Sequence, residues 1–120
     1  FMYLHEEMEA MDENFYHMTG VIPGRVYRTP RLNRFGYVTL KQNQTVLGTN
    51  VLGSIPAHEF HYFDSDNCGE SYTARKPLSS RSWNCIHSDR QGMSGFPHMY
   101  YYSNLQVPEQ FLRTCEERKA

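Results

Sequence analysis

Ile55-Pro56-Ala57-His58-Glu59-Phe60-His61-Tyr62-Phe63 is the stretch on which the reading of this chain turns. It is rich in β-forming side chains and reads as a strand, in which successive residues alternate between faces. Glu59 and His61 then share one face, and His58 and Phe60 the other. A zinc-protease reading of His58-Glu59-Phe60-His61 fails, because that motif needs histidines four apart on one helical face and here they are three apart. A carboxylate beside an imidazole can fix the ring's tautomer and orientation, as a base-and-orienter pair requires. The same pair is more often structural, a half-buried histidine satisfied by its neighbour.

Working outward, Phe1 opens a helical pattern with apolar Phe1, Leu4, Met8 and Met11 and acidic Glu6, Glu7, Glu9 and Asp12 between them. No capping residue precedes it, so the chain is read as starting inside a larger structure. Thr19 to Pro30, with two Gly and two Pro, reads as a connection. Arg34 to Leu40 reads as a strand and Gln42-Asn43-Gln44 as the polar turn after it. Thr45 to Leu52 stays open between a second hairpin strand and a loop. Asp64 to Gly69 has the chemistry of a turn-rich loop. Ser71 to Ala74 and Ser82 to His87 read as a hairpin, Gly92 to Gly95 as a loop, and Phe96 to Tyr102 as a strand. Pro108 begins a closing helix with Phe111, Leu112 and Cys115 facing inward. Helix, several strands, helix is an α/β or α+β order, and propensity does not choose between them.

The 120 residues suffice for one compact domain or for a piece of a larger one. Lys+Arg 12 against Asp+Glu 13 offers no basic face for a nucleic-acid backbone or anionic lipid. No apolar run is long enough for a membrane span and no signal pattern is present, so the default location is the cytoplasm. Cys68, Cys85 and Cys115 form no C-x-x-C pair, and six histidines without a repeated spacing do not make a metal site.

The remaining candidates are weaker. Cys68 could serve as a nucleophile with His61 as its base, but no helix start or strained turn stands there to lower its pKa. His98 reads as a buried imidazole bonded to backbone, Cys85 beside Trp83 as packing, and His5, His17 and His87 as isolated. Arg75-Lys76-Pro77 with Arg81 next to Asp64 and Asp66 reads as a mutually compensated surface.

Several phrases nevertheless fall in one order: Phe1-Met2-Tyr3-Leu4, Gly24-Arg25-Val26, Arg31-Leu32 with Phe35-Gly36-Tyr37-Val38, and His58-Glu59-Phe60-His61-Tyr62. Thr73-Ala74-Arg75-Lys76-Pro77 and Gly95-Phe96-Pro97-His98 leading to Tyr102-Ser103-Asn104 complete it. In this order and over nearly the whole chain, the sequence resembles the C-terminal part of the glutamine amidotransferase domain of cobyrinic acid a,c-diamide synthases.

The resemblance implies a class I glutamine amidotransferase-like α/β fold, of which residues 1–120 are a partial domain with a central, largely parallel but mixed sheet and flanking helices. It implies an enzyme that amidates the a and c carboxylates of cobyrinic acid. Relatives act on hydrogenobyrinic acid or nickel-sirohydrochlorin. ATP and magnesium belong to an N-terminal domain, and nothing here matches a phosphate loop. His61 matches the catalytic base. The nucleophile belongs to a Cys-Gly-Gly turn just before a stretch like Phe1-Met2-Tyr3-Leu4, so this chain alone is expected to be inactive. Common triad amidotransferases carry Glu two positions after the histidine, and here that position is Phe63. A Cys-His dyad is then the more natural model, with Glu59 as a candidate orienter. Glutamine and a corrinoid are the implied partners, and a half-sheet with open edges suits a homo-oligomer. The rival reading is a non-catalytic binding or scaffold module derived from such a domain.

Overall fold

A computed structural model describes residues 1–32, 34–43, 53–89 and 91–119. Among the described residues two larger sheets, a two-stranded ribbon and one α-helix make a slab measuring 42 × 41 × 21 Å. In the first sheet, β1 (His5–Glu9) lies between β2 (Phe15–His17) and β3 (Ile22–Arg28), and β6 (Phe63–Ser65) closes the far edge. The second has the order β11 (His98–Met99), β5 (Ile55–Glu59), β4 (Gly36–Gln42), β7 (Tyr72–Arg75), β8 (Ser82–Cys85). A short ribbon pairs β9 (His87–Ser88) with β10 (Met93–Ser94), and α1 (Gln106–Glu117) closes the chain.

The second sheet carries the core. Val38 and Leu40 of β4, Ile55 and Ala57 of β5, Tyr72 and Ala74 of β7 and Cys85 of β8 point to one face, where Ile86 and Val107 join them. Trp83 and Met99 pack against the cluster. Burying each larger aliphatic side chain contributes roughly 1.5–3 kcal/mol, and this face is where most of that stabilisation lies. Its outer face is polar and aromatic, with Tyr37 opposite His58.

The strands expected at residues 34–40, 71–74 and 82–87 are present within a few residues, and the last two form the expected hairpin. The mixture of strand and helix is as expected, and so is a sheet of mixed direction. The largely parallel sheet is not: among the described residues β1 and β3 are the parallel pair, and the other pairings are antiparallel.

The opening segment is a single 3-10 turn (Met2–Leu4) followed by β1, not a helix. Strand pairing on both sides overrides the helical spacing, and His5 turns inward at the point where the helical pattern had none of its apolar positions. The expected connection at 19–30 contains β3, an interior strand. Its Pro and Gly are absorbed by an irregularity in the pairing, where His5 opposes Ile22 but Glu7 opposes Arg25. Pro23 and Gly24 (φ +113°) occupy the extra space, and the Glu6 carboxylate accepts the Gly24 N–H at 2.9 Å.

Other corrections are local. Phe96 to Tyr102 contains only the two residues of β11 before a 3-10 turn at Tyr101–Ser103. Met93 and Ser94 pair with β9 instead of looping. The strand begun at Ile55 ends at Glu59, and Phe63 starts β6 in the other sheet. In α1 it is Val107 that is buried, while Phe111, Leu112 and Cys115 are exposed, because the helix rests on the sheet by its first turn. Gln42 is still within β4, and Gln44 and Thr45 to Leu52 lie outside the described residues.

One backbone feature stands apart. Ile86 is buried with φ +66°, a left-handed conformation rare for a branched side chain and costing about 1–3 kcal/mol. It is wedged between two glycines. A Cβ on Gly69 (φ +94°) would stand 2.3 Å from the Ile86 carbonyl carbon, and one on Gly95 would stand 2.8 Å from its Cγ1. The Ile86 carbonyl also accepts the Ser71 N–H at 2.9 Å.

Candidate active site

His58 to Tyr62 spans the passage from the second sheet to the first. The alternation expected of a strand persists through it, even though pairing stops at Glu59. Glu59 and His61 are buried, while Phe60 and Tyr62 are half exposed on the other side. The passage is held by the Thr29 N–H, which donates to the Tyr62 carbonyl at 2.8 Å.

The Glu59 and His61 side chains meet, His61 Nε2 lying 3.1 Å from Glu59 Oε1. Glu59 is 0% exposed and His61 9%. The other ring nitrogen, Nδ1, donates to the Phe63 carbonyl at 2.6 Å. Phe63 thus offers the imidazole a main-chain acceptor at the position where a triad would have a Glu side chain. Phe96 stacks flat on the ring, with centroids 4.0 Å apart and planes 10° from parallel.

Phe96 in turn meets Phe1 edge-on at 4.9 Å, and Phe1 meets His5 edge-on at 4.8 Å. Sequence reasoning missed these three residues. Phe96 lay in a phrase whose notable residue was taken to be His98, and nothing in the spacing reveals a ring stacked from a distant loop. His5, read as isolated, is fully buried, with Nε2 2.6 Å from Ser65 Oγ and Nδ1 3.2 Å from the Met2 carbonyl. His98, read as buried, is exposed in β11, where it pairs with His58. Beside Phe1 a cavity of about 330 Å³ is lined by Ile86, Met93, Gly95, His98 and Tyr101 among others.

Cys68 is not a free nucleophile. Its Sγ lies 3.2 Å from Arg34 Nη1 and 3.5 Å from Asp64 Oδ1, and burial pushes the thiol up despite the guanidinium. No hydrogen bond joins it to His61. Cys85 is packed in the core as expected, its thiol pushed up to about 12 by burial, with the Glu59 charge adding to it. Arg75, Lys76 and Arg81 do not meet Asp64 in an ion pair; Arg34 does, at 3.6 Å. Lys76 Nζ donates to the Phe35 carbonyl, and Arg81 lies over the Trp83 ring. Among the described residues no three His, Cys, Asp or Glu side chains converge to hold a metal, and no helix is long and apolar enough to cross a membrane.

A buried Glu-His pair can be purely structural, so relatives decide the frame in which it is read. The similarity is to cobyrinate a,c-diamide synthases. That of Caldanaerobacter subterraneus is 30% identical over 120 residues, covering 95% of this chain and 26% of the relative. The Fusobacterium nucleatum synthase is 29% identical over 114 residues (92% and 24%), and that of Picrophilus torridus 27% over 118 (96% and 24%). The chain spans about a quarter of the length of the synthases it matches. No family model and no solved structure matches it. Eight relatives with the same name support a link at the level of this family of amidoligases.

Proposed function

We propose that this chain is the C-terminal part of the glutamine-hydrolysing domain of a cobyrinate a,c-diamide synthase, with His61 as the base that activates a cysteine nucleophile. One observation carries the reading beyond the relatives: the ring of Phe1 stands one ring away from His61 through Phe96. Cys-Gly-Gly ahead of Phe1 would span at most about 10 Å, enough to bring a thiol from Phe1 to the imidazole.

The chemistry follows from that placement. His61 takes the thiol proton, and the thiolate attacks the side-chain amide carbon of glutamine. His61 returns the proton to the leaving ammonia, and water then releases glutamate from the thioester. Phe96 on one face of the ring and burial of His61 keep the imidazole fixed and largely dry. The ammonia serves amidation of a corrinoid carboxylate, which on this reading is activated by ATP and magnesium in the N-terminal part of the full-length protein. This chain contributes no phosphate loop to that step.

In the full-length protein, His61→Ala should lower glutamine-dependent diamide formation by roughly 10²–10⁴-fold, while an ammonium salt still supports amidation. The measurement is the diamide formation rate with each nitrogen source. Near-normal glutamine-dependent rates in His61→Ala would refute the assignment and make His58 the next residue to test.

A further inference from the structure

We infer that the ATP-dependent N-terminal part of the full-length protein docks, by a surface bearing carboxylates, on the aromatic face formed by Phe35, Tyr37, His58, Phe60 and Tyr62. The inference rests on the reading of this chain as the C-terminal part of a synthase and names the surface that joins it to the rest.

The five rings form one unbroken run. Tyr37 meets His58 with centroids 5.6 Å apart, His58 meets Phe35 at 6.1 Å, Phe35 meets Phe60 at 5.6 Å and Phe60 meets Tyr62 at 5.8 Å. Each contact is edge to face, with planes 69–88° apart. Half or more of each of Phe35, Tyr37, Phe60 and Tyr62 is nevertheless exposed. Single exposed rings are ordinary on a protein surface, but a contiguous run of them marks a face that another surface covers. Tyrosine and phenylalanine are enriched in such contacts.

Charge says what kind of surface covers it. Pairing and alternation put Lys41 and Arg75 on the outer face of the second sheet with Tyr37, His58 and His98, and no carboxylate shares that face among the described residues. Neither Lys41 nor Arg75 forms an ion pair among the described residues. Glu6, Glu7, Glu9, Asp12 and Glu13 lie in and just after β1, in the other sheet. The face therefore suits an acidic partner. A second copy is disfavoured, because a two-fold contact here would set Lys41 and Arg75 against their own counterparts.

Proximity selects the partner. Ammonia released into bulk water is protonated and is then no nucleophile, so on this reading the part that amidates has to sit close to His61. Phe60 and Tyr62 are the chain neighbours of His61, exposed on the reverse side of the passage, and a surface seated on them lies one residue from the buried pair. The chain spans about a quarter of the length of the synthases it matches, so the same reading leaves most of the full-length protein to supply that surface.

Two measurements in the full-length protein test this. A carbodiimide joins an amine directly to a carboxylate in contact with it. It should link Lys41, and the amine introduced by Arg75→Lys, to Asp or Glu side chains of the N-terminal part. Links only within these 120 residues, links only between 15N-labelled and unlabelled copies in a mixture, or no link from either amine would overturn the proposal. Phe60→Ser and Tyr37→Ser should each leave glutamate release in place and lower the diamide formed per glutamate released by roughly 10-fold. Amidation from an ammonium salt should stay at the wild-type level in both. An unchanged ratio in both variants would overturn docking through this face. If Phe60→Ser also loses glutamate release through its neighbour His61, the ratio in Tyr37→Ser decides alone. Wild-type protein that forms no diamide from glutamine would remove the reading beneath the proposal, whereas glutamine-dependent diamide with an unmoved ratio removes the docking face only.

Discussion

At the scale of single residues, the buried groups differ in how they meet their partners, and that difference sets what each substitution should do. Ser65 Oγ lies on His5 Nε2 and also accepts the Asn67 N–H at 2.9 Å. Ser65→Ala should therefore cost about 1–3 kcal/mol, since it leaves a buried imidazole nitrogen unpaired, and urea unfolding would measure it. Cys85 sets an alkaline limit. Its thiol is pushed up to about 12 in the folded chain, against an ordinary value of 9 when unfolded. The stability this represents is fully present below pH 9 and is lost as pH rises from 9 toward 12. Between pH 9 and 10.5 the loss is about 2 kcal/mol from Cys85 alone. Burial shifts Cys68, Tyr27 and Tyr72 the same way. Cys85→Ala should be less stable at pH 7 but should show a shallower decline between pH 9 and 10.5, read from urea midpoints at each pH.

At the scale of elements, α1 gives a direct test of which face is in contact. Val107→Ala should cost about 1–3 kcal/mol, and Phe111→Ala and Leu112→Ala should each stay within about 0.5 kcal/mol, measured by urea unfolding of this chain. The helix was legible from Pro108 and its apolar spacing, but its inward face was not, because spacing states which residues share a side and not which side is covered. β4, β7 and β8 were legible because each alternates cleanly and is bounded by turn residues. β1 was hidden by residues spaced for a helix, and β3 by a proline and a glycine that a pairing irregularity accommodates. At the site, the sharing of one face by Glu59 and His61 was legible from period-two alternation. Phe96 and Phe1 were not, since stacking between segments 35 and 95 residues apart leaves no local pattern.

At the scale of the whole molecule, none of the three thiols is placed to serve His61. Cys68 is engaged by Arg34 and Asp64, Cys85 is buried in the core, and Cys115 is on the exposed side of α1. This chain by itself should accordingly release no ammonia from glutamine above the level of its His61→Ala variant, and release above that level would reinstate Cys68 as nucleophile. The wedge at Ile86 joins three neighbouring turns of the chain, and Gly69→Ala should cost at least about 3 kcal/mol where Gly20→Ala, left-handed but in open space, costs about 1–2. The same geometry bears on how such a sequence can diverge. Gly69 and Gly95 both abut Ile86, Gly69 against its carbonyl group and Gly95 against its side chain. Drift through this region should be epistatic: a lineage that gives up Gly95 must first shrink or reorient residue 86, whereas one that gives up Gly69 must first move the main chain at residues 86 and 87.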